Sequence, residues 1–168
     1  DPAGPYLRHT VDLYGEYQVT PRFALRANFF GGVQPNRDTD PTAWAGLALY
    51  ARVQPLDWLY IATRLEALGE FYPSDAQSIF FGDSPEANNI ASGTLTLDFR
   101  PHRNISLRVE YRHDHSIAGG GGRFNGNMFF RDAGTLVPGT MGMTPTPDTY
   151  VPNATSQDTI LAGATSWF

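Results

Sequence analysis

The chain has 168 residues, is 41% hydrophobic and 13% aromatic, contains no cysteine and carries a net charge of −5. This size and composition suit one domain and exclude a disordered or fibrous chain, a disulfide framework and thiolate metal sites. The acidic balance speaks against nucleic acid as a partner, since displacing counterions from phosphates takes an excess of basic residues.

The opening segment "DPAGPYLRHT" lacks the basic and apolar regions of a secretory signal, so a mature chain or a piece of a longer one is expected. Beyond it the side chains alternate with a period of two, the spacing of β-strands. Val11, Leu13, Tyr17 and Val19 alternate with Thr10, Asp12, Tyr14, Glu16 and Gln18. After a "TPR" turn, Phe23, Leu25, Ala27 and Phe29 alternate with Ala24, Arg26, Asn28 and Phe30, and the loop "GVQPNRDTDPT" follows. A third strand runs from Ala43 to Pro55, with Leu47, Leu49 and Val53 opposite Arg52 and Gln54. Its uncharged run "AWAGLALYA" is less than half of the roughly 20 residues a membrane helix needs. Past "QPLD", a fourth strand from Trp58 to Phe71 sets Leu59, Ile61, Leu65 and Ala67 against Arg64, Glu66 and Glu70, and a loop spans Tyr72 to Asn88. The fifth strand sets Leu95, Leu97 and Phe99 against Thr94, Thr96, Asp98 and Arg100; after "PHRN" the sixth sets Ile105, Leu107, Val109 and Tyr111 against Arg108, Glu110, Arg112 and Asp114. A long stretch from Ala118 to Gln157 precedes "TILAGATSWF", which alternates more weakly.

Two regularities point away from a water-soluble sheet. Short polar turns lie on one rim and long loops on the other, the plan of a meander whose two ends face different surroundings. The strand charges, seven basic and seven acidic, also share one face: Arg8, Asp12, Glu16, Arg26, Arg52, Arg64, Glu66, Glu70, Asp98, Arg100, Arg108, Glu110, Arg112 and Asp114. Such a face suits a wet lumen in which arginine pairs with carboxylate, while Leu59, Ile61, Leu65, Leu95, Leu97, Phe99, Leu107, Val109 and Tyr111 face lipid, where an ion costs several kcal/mol. All twelve basic residues are arginine, whose rigid fork fits such pairing, although a bias in genomic base composition produces the same pattern. The expected fold is all-β: an antiparallel up-and-down transmembrane β-barrel with at least seven strands in this chain. Bacterial single-chain barrels have even strand numbers. Residues 1–168 are therefore expected to be a single β-barrel domain or the C-terminal portion of a larger one, with 118–157 as a long extracellular loop.

The stretches "RLEALGEFY" and "TLTLDFRPHRNISLRVEYRHDHS" resemble the closing part of the OmpL-like outer-membrane β-barrel porin family. The residues that carry the likeness are Arg64, Glu66, Thr94, Thr96, Leu97, Asp98, Phe99, Arg100, Pro101, Arg108, Glu110, Tyr111, Arg112, Asp114 and Ser116. The tail "QDTILAGATSWF" resembles the last strand of that family, with Phe168 as the C-terminal assembly signal and Ser166 where an apolar residue is usual. The resemblance implies a bacterial outer-membrane location and a lipid surround, while the odd strand count leads to the expectation of missing N-terminal strands or a second chain to complete the wall.

The leading functional expectation is a passive channel for small polar solutes. Two alternatives are a structural or adhesive barrel with a plugged lumen acting through its loops, and a soluble β-sandwich binding module, which alternation alone leaves open. A hairpin around "NGNMFFRDA" would add two strands without changing the parity. His113 and His115 share a face but have no third ligand nearby in sequence, so neither a metal nor a cofactor is expected. Asp114 and Ser116 point away from both histidines, so no hydrolase set converges and no enzyme is expected.

Overall fold

The computed structural model describes residues 7–36, 39–71, 79–80, 88–117, 129, 135–137, 140–141, 144–145, 149–151 and 153–167. Its strands are β1 (His9–Thr20), β2 (Phe23–Gln34), β3 (Thr42–Leu56), β4 (Leu59–Phe71), β5 (Asn88–His102), β6 (Ile105–Ser116), β7 (Thr135–Val137), β8 (Thr140–Met141), β9 (Thr144–Pro145), β10 (Thr149–Val151) and β11 (Ser156–Ser166). Seven of them form one antiparallel sheet in the order β1-β2-β3-β4-β5-β6-β11. Each long strand thus pairs with the next long strand in sequence, as an up-and-down meander requires. The sheet is open, with β1 and β11 at its two edges.

The stretch expected as a loop over 118–157 contains two further pairings, β7 with β10 and β8 with β9. Phe129 bridges Ala154 through two backbone hydrogen bonds of 3.0 Å. The expected hairpin around "NGNMFFRDA" lies outside the described residues apart from Phe129, and Phe168 lies outside them too. Two strands begin or end elsewhere than their alternation predicts. β2 continues through Gly31 and Gly32 to Gln34, and β5 begins at Asn88, six residues before Thr94.

Three two-residue turns close the hairpins on one rim: Pro21-Arg22, Asp57-Trp58 and Arg103-Asn104. Beside each, the register slips by a bulge, between Gln18 and Thr20, Val53 and Leu56, and Phe99 and His102. Pro55 and Pro101 sit inside two of these bulges, where the missing N–H breaks no ladder bond. Arg22 and Asp57 join two of the turns at 2.9 Å, an exposed pair that contributes about 0–1 kcal/mol.

The register keeps one face constant across the sheet. Glu16, Arg26, Tyr50, Arg64, Thr94 and Arg112 form one cross-strand row, and Thr159 of β11 continues it. Even-numbered residues of β1 to β6 therefore share a face with odd-numbered residues of β11. Burial runs opposite to that of a soluble sheet. Asp98, Asp114, Ser92 and Thr94 on the charged face are buried, whereas Leu65, Leu95, Leu107 and Val109 on the other face are exposed, Leu65 by 65%.

At the long-loop end the charged face is floored by aromatic rings lying over glycines. Trp44 is directly opposite Gly32, and Phe30 directly opposite Gly46. A Cβ at either glycine would run into the facing ring, so only glycine lets these rings lie flat across the neighbouring strand.

Candidate functional site

Along the charged face the predicted ionic residues meet in several polar clusters. Arg26 Nε lies 3.0 Å from Glu16 Oε2, directly across β1 and β2. Glu66 serves two arginines. Arg64 Nε approaches to 3.3 Å without the alignment of a hydrogen bond, and Arg112 Nη2 reaches in from β6 to 3.0 Å. Arg112 also holds Asp114 at 2.7 Å and donates to Ser92 at 3.2 Å. Asp114 is completed by the Ser92 hydroxyl and by Gln157 of β11 at 3.1 Å. Three of the ion pairs run along a strand at a spacing of two, Arg64 with Glu66, Arg100 with Asp98 and Arg112 with Asp114. The pairing thus runs along strands as well as across them.

Nearer the short turns, Asp98 accepts from Arg100 at 2.8 Å and from the Ser106 hydroxyl at 2.6 Å, while Arg108 stays 4.0 Å away. The Arg100 guanidinium lies 4.4 Å from the Tyr60 ring centroid and that of Arg52 lies 5.7 Å from it. Glu110 accepts from Thr96 at 2.9 Å and Asp12 from Asn28 at 2.6 Å. Two cavities of about 190 and 200 Å³ open on this face and share Arg52, Ala62 and Thr96.

At the long-loop end, Arg8 donates to Gln34 at 3.0 and 2.7 Å and lies 5.6 Å from the Trp44 ring. Glu70 is fully buried, and its carboxylate accepts the backbone N–H groups of Ile79 (2.6 Å) and Phe80 (3.1 Å). The Phe80 ring meets Trp44 and Phe30 edge-on at 5.9 and 6.5 Å. Residues that follow β4 are thereby docked onto the charged face.

The uncharged face gathers Leu59, Phe99 and Leu107 in one row and Ile61, Leu97 and Val109 in the next. Tyr111 pairs with Leu95, and an apolar groove lined by Phe29, Leu47, Ala67 and Phe71 lies toward the long-loop end. One charge departs from the pattern. Asp158 of β11 stands on this face opposite His113, where it accepts from the Tyr111 hydroxyl at 2.6 Å and meets His113 Nδ1 at 2.9 Å. His113 and His115 share the face as expected, with ring centroids 6.3 Å apart.

Sequence reasoning named the ions of these clusters and placed Thr96 beside them, but missed three other neutral members. Tyr60 is directly opposite Asp98, Ser92 is directly opposite Asp114, and Ser106 is diagonal to Asp98. Their even numbering was the available signal.

Ions and hydroxyls on the more enclosed face, with leucine and valine on the open one, are the pattern of a membrane-spanning β-sheet whose two faces meet water and lipid. The chain belongs to the family described as "Putative beta-barrel porin-2, OmpL-like", which matches residues 4–137. Membership implies a bacterial outer-membrane lipid environment. The match takes in the stretch from Trp58 to Ser116 that carries the resemblance, and stops short of the tail. Neither a search of curated proteins nor one of solved structures returned a match.

Proposed function

We propose that the sheet is part of the wall of a passive outer-membrane channel, with the charged face lining a water-filled lumen. The observation that carries this reading is the inverted burial, Asp98, Asp114 and Glu70 enclosed while Leu65, Leu95 and Leu107 stand exposed. Each leucine moved from water into hydrocarbon gains about 1.5–3 kcal/mol, and an arginine forced into the same place costs about 2–4 kcal/mol, so the two faces have one favourable assignment. Residues 1–168 belong to a single barrel domain, the stretch over 118–157 lies on the outer side, and the protein works without catalysis, cofactor or nucleic acid. Its partners are outer-membrane lipid, small polar solutes and whatever strands complete the wall.

Refolded protein in a planar bilayer is expected to give discrete conductance steps, altered by Arg108→Ala or Glu110→Ala. Well-folded protein in a silent membrane would remove the channel reading. The reach of Arg112 from β6 to Glu66 on β4 favours a second reading, a scaffold barrel whose lumen is filled by its own side chains and which acts through its loops. Strand number separates the two, because about eight strands leave room only for side chains and about sixteen leave a channel.

A further inference from the structure

The charged face is balanced in total but not in place. Three arginines, Arg52, Arg100 and Arg108, line a cavity of about 200 Å³ together with Tyr60, with Asp98 as the acid in its wall. That carboxylate is already committed, to Arg100 at 2.8 Å and to Ser106 at 2.6 Å, and only 8% of its side chain is exposed. Arg108 is left at 4.0 Å from it, beyond hydrogen-bond reach, with 58% of its side chain exposed. Arg52 lies over the Tyr60 ring, whose centroid is 5.7 Å from its guanidinium carbon. Stacking fixes a guanidinium plane while leaving its edge N–H groups to bind something else. The floor of the cavity is Ala62 and Thr96, short side chains that leave the space open. A further acid beside it is Glu110, directly opposite Thr96 and accepting from its hydroxyl at 2.9 Å. Counting it, the arginines still exceed the acids by one, in a chain whose net charge is −5.

Resting on the channel reading, we infer that this cavity is an anion site in the lumen. It would take a small oxyanion or carboxylate between Arg52 and Arg108, with the Tyr60-stacked Arg100 and its partner Asp98 as a fixed wall. The chemistry fits because two under-paired forks can present parallel N–H groups to one tetrahedral or planar anion. A rim of ordinary solvated arginines would lack both the ring that orients them and the vacant floor beneath them. Solutes passing the short-turn half of the lumen would then be drawn from the anionic class, in place of the indifferent polar solutes that mixed charge alone implies.

Inorganic phosphate is the probe, titrated calorimetrically into refolded full-length chain in detergent, with current reversal in a KCl gradient measured in parallel. Saturable phosphate binding is expected, weakened about tenfold or more by Arg52→Ala and by Arg108→Ala and unchanged by Arg22→Ala in the turn. Bilayers are expected to show anion preference that the first two variants reduce. Binding equally affected by Arg22→Ala, or absent from protein that conducts, overturns the site and leaves the channel standing. Phosphate binding with the expected variant pattern in protein that never conducts supports the site and removes the channel instead.

Discussion

Glu70 is an ionisable side chain with no solvent contact, and it answers that cost locally. Two backbone N–H groups, from Ile79 and Phe80, donate to its oxygens, and Phe80 then rests against Trp44 and Phe30. Removing the acceptor leaves donors unsatisfied in an enclosed place, at about 1–3 kcal/mol. Glu70→Ala is therefore expected to lower the unfolding free energy of the lipid-refolded protein, read from its urea midpoint, by that amount, and Glu70→Gln, which keeps one acceptor oxygen, by less. Phe80→Ala, which forfeits two edge-on ring contacts worth about 0.5–1.5 kcal/mol each, is expected to move the midpoint the same way. A Glu70→Ala midpoint equal to that of the parent would show that the docking contributes no stability.

Strands carry the next level of meaning, because a period of two sends neighbours to opposite surroundings. Leu97 and Thr96 test this within one strand. Leu97 lies between Ile61 and Val109 on the uncharged face, while Thr96 lies between Ala62 and Glu110 on the charged one. Leu97→Arg is expected to cost about 2–4 kcal/mol of folding free energy in lipid, and Thr96→Arg, placed beside a carboxylate, close to nothing. Equal penalties in vesicle refolding would refute the face assignment. Alternation made these two faces legible in the sequence, since the charges on β1 to β6 fall at even positions and a slip of one residue would have exposed them all. What alternation did not reveal depends on partners distant in sequence. Gly32 reads as the start of a loop, yet it continues β2 opposite Trp44, twelve residues on, whose ring lies where a side chain at Gly32 would stand. The faces of β11 were illegible for a related reason. Its face is set by pairing with β6, which places Ile160 beside Tyr111 and Leu161 beside Glu110, and neither residue announces its side. The docking of Phe80 is likewise tertiary, fixed by Glu70 and two rings on three different strands.

At the scale of the whole molecule the strand count governs how the wall closes. Strand directions alternate along a meander, so seven strands leave β1 and β11 running the same way. Their outer backbone groups would each cost several kcal/mol if left bare in hydrocarbon, so both edges must find partners. Direct closure would make a parallel pair of β1 and β11; an all-antiparallel barrel instead takes an odd number of further strands, from the same protein or another chain. We propose the second arrangement, which agrees with the even strand numbers usual for bacterial barrels. Because these 168 residues hold no cysteine, the proposal can be tested on this chain without background. With Ile160→Cys fixed on β11, cysteines are scanned over Val11, Leu13, Gly15 and Tyr17 on the same face of β1 and treated with a short bis-thiol reagent in lipid. The register partners Ile160 and Tyr111, both replaced by cysteine, provide the positive control. The control pair is expected to link within one chain, and none of the scanned β1 positions is. An intrachain link at any of them would place β1 directly beside β11 and show that these seven strands close on themselves, a ring too narrow to leave much open water along its axis.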